Sequence, residues 1–223
     1  MTPNTQIIFQ ILQHVENELT KLQNILFALK TTDLLVHGSN YEEMSTDAAI
    51  RAERITCQLR NLVFISNLKQ QSEYMRHACN AQKIRISQEN EILSISLPGL
   101  LAKRRIRCNT AFLHEPLNFA MQEFVQSNDI QLYKSCVVCF SQVYDESLSL
   151  LRIRDYDNLE FKQILDTIAA YVLLDDSGLY CDCYHTTELG ESDHTVIYIM
   201  DKLVFPKWLK MRKQQMKNIS KIL

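Results

Sequence analysis

Nothing in the 223-residue sequence approaches about 18 uninterrupted apolar residues, so no membrane-spanning helix is expected. The start, Met1-Thr2-Pro3-Asn4-Thr5, lacks a basic segment followed by an apolar core, and a secretory leader is therefore not expected either. A cysteine framework is missing too. Seven cysteines are an odd number without regular spacing, which favours reduced thiols over a disulfide scaffold and points to a cytoplasmic protein. The six histidines are scattered, and no Ser-His-Asp or Cys-His arrangement stands out. Acids are absent from residues 202–223, which carry Lys202, Lys207, Lys210, Arg212, Lys213, Lys217 and Lys221. The net charge of -2 hides this division, because residues 83–201 are acid-rich. A basic tail beside an acidic centre suits a polyanion held by one part and attacked through metal ions at another. A solvated helix face explains the same basic run without any partner.

The chain divides by period into a helical region, residues 1–82, an α/β region, 83–201, and a basic C-terminal helix or tail, 202–223. Ile8, Leu12, Val15, Leu19, Leu22, Leu26 and Leu29 alternate by four and three, a heptad seam that predicts a helix packing along its length, against the next segment or another copy. The loop His37-Gly38-Ser39-Asn40 breaks it. A second helix is expected from Ser45, with Asp47 in its first turn and Ile50, Ile55, Leu59, Leu62 and Val63 at helical spacing, running on towards Tyr74 and Met75. The two would form a helical hairpin or coiled coil serving as scaffold or dimer arm.

From residue 83 the period becomes two. Ile84 and Ile86, then Leu93, Ile95 and Leu97, predict a β-hairpin ended by Pro98-Gly99. Lys103, Arg104, Arg105 and Arg107 follow on an exposed connection suited to phosphate contact, or simply solvated. A helix is expected from about Glu115, with Pro116 in its first turn. Cys136 to Tyr144 reads as a buried strand, on which Cys136 and Cys139 face opposite sides. Cys181, Cys183, His185 and His194 are the only partners for a structural zinc, and buried reduced thiols are the simpler reading.

The stretch Arg152-Ile153-Arg154-Asp155-Tyr156-Asp157-Asn158 holds the chemistry. At the end of a strand, Asp155 and Asp157 would share a face, and such carboxylate clusters suit hard divalent cations. Leu159, Ile164, Leu165, Ile168, Ala169 and Val172 then mark an amphipathic helix capped by Asp157 or Asn158, with Glu160 completing a capping-box pattern. Asp175 and Asp176 lie where that helix should stop, a position unfavourable to carboxylates unless the chain has turned into a loop or a cation compensates. A final hairpin, Leu179–Thr187 with Thr195–Met200, leads to Phe205-Pro206-Lys207-Trp208 and the basic helix.

In order, the strand ending in Leu97-Pro98-Gly99, a helix, a strand, Arg154-Asp155-Tyr156-Asp157-Asn158, then Lys162, Leu165 and Asp166, then Leu174-Asp175-Asp176 and the last hairpin resemble the RusA-type Holliday-junction resolvases. The chain is also similar to uncharacterised clostridial proteins of mobile elements, a likeness that implies no activity. The resolvase resemblance implies an α+β fold with a mixed sheet flanked by helices, and a homodimer that hydrolyses phosphodiesters in branched DNA during recombination and repair, using Mg²⁺ or Mn²⁺. It implies Asp155, Asp157 and Asp176 as metal ligands with Asp175 beside them, and Lys162 assisting catalysis. Arg154 would touch DNA, together with Arg152 and the Lys103–Arg107 cluster. Lys162 departs from the family by one residue, a rotation of about 100° on a helix, and a pair with Asp166 explains it equally. The first ~90 residues have no counterpart in those small enzymes. A second expectation is therefore a non-catalytic nucleic-acid-binding or assembly protein that keeps the nuclease fold while the helical arm does the work.

Overall fold

The computed structural model describes residues 3–33, 36–66, 71–102 and 111–219. Among these residues the chain is an α+β protein of six α-helices and one five-stranded mixed sheet. It forms two compact units, Met1–Met75 with Cys108–Glu115, and Arg76–Arg107 with Pro116–Leu223. No helix among the described residues is long and apolar enough to cross a membrane.

The first unit contains α1 (Pro3–Thr31) and α2 (Gly38–Ser66). Two 29-residue helices separated by only six residues can touch at mid-length only if they run antiparallel, and Glu18 of α1 meets Arg51 of α2 at 2.7 Å. Of the expected seam, Val15 is buried and Ile8, Leu22 and Leu29 are half-buried. Leu12, Leu19 and Leu26 are 40, 43 and 46% exposed. A single partner helix covers one line of a heptad pattern and leaves the other open. Glu18 sits within the covered line, only 6% exposed, where it also accepts from Lys21 at 2.9 Å. A buried, paired carboxylate fixes the register of the hairpin, since sliding α2 would strand it without Arg51.

Two boundaries differ from expectation. The second helix starts at Gly38 rather than Ser45, and the Ser45 hydroxyl donates back to the Glu42 carbonyl at 3.0 Å within the helix instead of capping it. Helix α3 (Gln71–Ala81) follows α2. Helix α4 (Ala111–Ser127) begins before Glu115 and holds Pro116 inside. Proline cannot donate to the Phe112 carbonyl. Within the first unit, Arg60, 1% exposed, donates to that oxygen at 3.3 Å and pairs with Glu115.

In the second unit, β1 (Arg85–Glu89) and β2 (Ile92–Leu97) form the expected hairpin. Its two turn residues, Asn90 and Glu91, have φ of 47° and 68°, the left-handed pair that matches strand twist in a two-residue turn. The sheet order is β1-β2-β5-β3-β4, with β3 (Cys136–Asp145), β4 (Cys181–Gly190) and β5 (His194–Asp201). Strand β3 is buried from Cys136 to Tyr144, pairing parallel with β4 and antiparallel with β5. The final hairpin is therefore corrected. β4 and β5 are consecutive but lie on opposite sides of β3, because a strand apolar on both faces needs a neighbour at each edge.

Leu93, Ile95, Ile197, Ile199, Val138 and Phe140 share one fully buried face by register. Helix α5 (Lys162–Val172) reaches this face through Phe161, whose ring meets Phe140 and His185. Tyr171 of α5 hydrogen-bonds Asn118 of α4 at 3.0 Å. The opposite face carries α6 (Phe205–Ile219), with Trp208 packed on Cys139 and Met200. Arg212 lies 7% exposed on that face. It pairs with Glu188, donates to the Ser141 hydroxyl at 2.7 Å and stacks 4.8 Å from the Trp208 ring. One cation of the basic tail is thus a structural bolt.

Two outcomes follow for stability. Hydrogen bonding from Lys21, joined by Arg51, holds the Glu18 carboxyl below the usual carboxylate range. Its contribution is complete above the unfolded value, about 4.3, and is lost as pH falls through the lower folded value. Urea unfolding of wild type should therefore weaken more steeply between about pH 5 and pH 3 than that of Glu18→Gln. Arg212→Met should cost about 3 kcal/mol at neutral pH by leaving Glu188 without its cation, with part recovered in Arg212→Met/Glu188→Gln.

Candidate functional site

The stretch from Arg152 to Asn158 does not extend a strand. β3 ends at Asp145, whose carboxylate accepts from the Ser147 amide at 2.9 Å and hydroxyl at 2.6 Å to start a turn. A 3-10 turn, Leu150–Arg152, is capped by the Ser149 hydroxyl, and a second one spans Tyr156–Asn158. Asp155 and Asp157 therefore do not alternate along one strand, and the convergence expected from a period of two is lost. Asp155 occupies the N-cap position of the second turn without making a side-chain cap bond. Both acids are exposed. The expected capping box is replaced as well. Helix α5 starts at Lys162 with Phe161 as its cap, and the Glu160 amide donates to the Ala102 carbonyl at 2.8 Å.

Both arginines of the stretch are engaged inside the unit. Arg152 forms a two-pronged pair with Asp193, donates to the Asp145 carbonyl at 3.0 Å and stands 5.3 Å from the Tyr144 ring centre. The Arg152 guanidinium holds the Asp193 carboxyl below its ordinary range, and Asp193 in turn raises Arg152. Asp193 also accepts from the Asp145 amide at 2.8 Å. Arg154 donates from its guanidinium to the Leu101 carbonyl at 3.2 Å, and its amide donates to the Tyr144 hydroxyl at 3.1 Å. These contacts orient the two cations towards the protein. Lys103, Arg104, Arg105 and Arg107 lie outside the described residues, as does Lys221.

Between the two acids, Tyr156 points inward. Its hydroxyl shares a 2.7 Å hydrogen bond with Thr187, and its ring stacks on His185, which stacks on Phe140 in turn. Burial pushes His185 below its usual range, towards the neutral ring. Sequence reasoning gave no role to Tyr156, Asp145 or Asp193, and weighed His185 only as a zinc partner. The signal available for Tyr156 was its aromatic character between two acids, and none was available for Asp193, forty residues away in the chain.

The remaining acids are dispersed. Asp175 accepts from the Ser177 amide and hydroxyl, both at 3.1 Å, a local turn beyond the end of α5. That is the loop explanation for an acid past a helix C-terminus. Asp176 is exposed. Lys162 pairs with Asp166 at 2.9 Å, one helical turn along α5. Asp166 first, and Asp176 and Glu160 more weakly, hold the Lys162 ammonium above its ordinary value. Among the described residues no three His, Cys, Asp or Glu side chains stand together as a metal-ligand set. Asp155, Asp157, Asp175 and Asp176 are not gathered into such a set, nor are Cys136, Cys139, Cys181, Cys183, His185 and His194.

Residues 4–223 match the profile of a family described as a family of unknown function, DUF6100. No curated protein matches the chain. Among solved structures, the periplasmic domain of Helicobacter pylori MotB is similar at 9% identity over 59% of this chain and 88% of that one. The TM-score of 0.33 is too low for that likeness to carry an argument.

If Arg152 braces the unit rather than serving a ligand, Arg152→Met should lower the thermal midpoint, Asp193→Asn should lower it comparably, and the double variant should be no worse than the sum's larger member. Additive losses in the thermal-unfolding cycle would instead mean that the two side chains act independently.

Proposed function

We propose, for a chain that belongs to the DUF6100 family of unknown function, that it is a non-catalytic binding and assembly protein. Its copies associate through α1, and its basic surface holds nucleic acid. The observation that carries this reading is the uncovered half of the heptad seam. Leu12, Leu19 and Leu26 recur every seventh residue at 40, 43 and 46% exposure, flanked by Phe9 and Phe27 at 62 and 71%. A band with that period matches another helix of the same period. A second copy supplies one by symmetry. With α1 antiparallel to its twofold mate, Leu19 faces Leu19 and Leu12 faces Leu26, a self-complementary contact.

Nucleic-acid binding is the lesser part of the reading. It rests on Lys207 and Lys210, exposed on α6, and on the basic cluster Lys103–Arg107. Arg152, Arg154 and Arg212 are left out of it because each has internal partners. No catalytic role is assigned to Asp155, Asp157 or Asp176, since ligands act as a set.

The competing reading is a RusA-type fold with Mg²⁺- or Mn²⁺-dependent endonuclease activity on branched DNA. Its support is the order of the motifs and the exposure of Asp155, Asp157 and Asp176.

Sedimentation equilibrium decides the assembly claim. Wild type should approach twice the 26.0 kDa chain mass. Leu12→Glu/Leu19→Glu/Leu26→Glu should weaken association by about 100-fold or more with an unchanged helical spectrum. A wild type that stays monomeric at high concentration overturns it. Fluorescence anisotropy with labelled DNA should show binding that weakens with salt, is reduced in Lys207→Glu/Lys210→Glu and is indifferent to Asp155→Asn. Metal-dependent cutting of a four-way junction, abolished by Asp155→Asn, would select the endonuclease instead.

A further inference from the structure

Two thiols with no part in that function meet at one corner of the sheet, and a third lies two residues along β4. Cys136 opens β3 and Cys181 opens β4, and the parallel register makes them direct partners. Partner positions on neighbouring strands project from the same face, and Cys183, two residues along β4, projects from it too. The Cys136 and Cys181 side chains lie within hydrogen-bonding reach of each other, as do those of Cys181 and Cys183. Cys136 is 1% and Cys181 5% exposed, whereas Cys183 is exposed.

Geometry favours one pairing. Adjacent strands lie about 4.8 Å apart, within the range of about 4.4–6.8 Å between Cα atoms that a disulfide accepts. Cys181 and Cys183 are separated along a single strand by about 6.6 Å, near the upper limit. Cys139 is excluded because it faces α6 on the other side of the sheet, where burial pushes its thiol up to about 12.

We propose that Cys136 and Cys181 are a peroxide-responsive redox pair that closes to an intramolecular disulfide. The thiolate belongs to Cys136, which the Cys181 thiol stabilises by hydrogen bonding, with a smaller contribution from the Lys202 charge. The Cys136 sulfur attacks one oxygen of hydrogen peroxide, the O–O bond breaks, and the sulfenic acid forms as hydroxide leaves. The Cys181 sulfur then attacks the Cys136 sulfur, the S–O bond breaks, and the hydroxyl leaves as water with the Cys181 proton. In sum two thiols and one peroxide give one disulfide and two waters. The bond ties edge strand β4 to β3 where both begin, and it is reversed by a reducing dithiol.

The test uses the full chain, treated with hydrogen peroxide, alkylated under denaturing conditions and digested with trypsin. Cleavage after Lys134, Arg152, Lys162 and Lys202 places Cys136 in one peptide and Cys181 in another. The expected product is a cross-link between peptides 135–152 and 163–202 within one chain, two hydrogens lighter than their sum and absent after reduction. It should persist in Cys139→Ser and Cys183→Ser and disappear in Cys136→Ser and Cys181→Ser. Unoxidised wild type supplies the folded reference, and the wild-type cross-link alone tests the pair should a variant misfold. Full alkylation of all three thiols, a Cys181–Cys183 link within peptide 163–202, a bond between chains, or loss of the cross-link in Cys139→Ser would overturn the proposal.

Discussion

The guanidinium of Arg152 joins two places in the second unit that the chain itself keeps apart, the end of β3 and the turn before β5. It meets the Asp145 carbonyl where β3 ends, the Tyr144 ring within β3, and the Asp193 carboxylate just before β5 begins. The need for this contact comes from the topology. Strand β5 does not fold back on β4 but crosses to the far edge of β3, so the turn before it passes the end of β3 and must be fixed there. A charge pair with a shared backbone carbonyl does so with directional donors. Once Arg152 is placed, Arg154 reaches the Leu101 carbonyl and Tyr156 reaches His185 and Thr187. The acids between them are left facing outward. Arg152, Arg154 and Tyr156, read in the sequence beside two acids, form a brace within the unit.

Local periodicity made several elements legible in the sequence. The alternation of Leu93, Ile95 and Leu97 marks β2, the apolar run Cys136–Phe140 marks β3, and the heptad seam marks α1 over its length. Lys162 and Asp166 at four-residue spacing pair as their positions on a helix require. The misread features depend on contacts distant in sequence. Nothing local distinguishes strands that pair as a hairpin from strands separated by a third, and the pairing of Arg152 with Asp193 is invisible without that distinction. Capping failed for a different reason. Asp157 and Glu160 offered a sound capping pattern, yet the chain forms a 3-10 turn there and begins α5 one residue after Phe161, whose ring is drawn onto Phe140 and His185. Aromatic burial outweighed a cap of about 1 kcal/mol.

Charge and apolar surface are distributed differently in the two units. In the second unit Arg152, Arg154 and Arg212 are bound to carboxylates or carbonyls of the same unit. In the first unit Glu18 secures the register of α1 against α2, and that register leaves Leu12, Leu19 and Leu26 uncovered. A soluble helical hairpin ordinarily places polar residues on such a line. Their apolar character at a coiled-coil period is a feature that packing of α1 on α2 does not explain.

Hydrogen–deuterium exchange of the whole chain at low and high concentration tests that point directly, because association stabilises whichever helix it covers. The account predicts that exchange slows with concentration in α1 peptides spanning Leu12 to Leu26, while the sheet peptides of the second unit exchange at the same rate throughout. Concentration-independent exchange in α1, or slowing confined to the Arg152–Asn158 stretch, would contradict it.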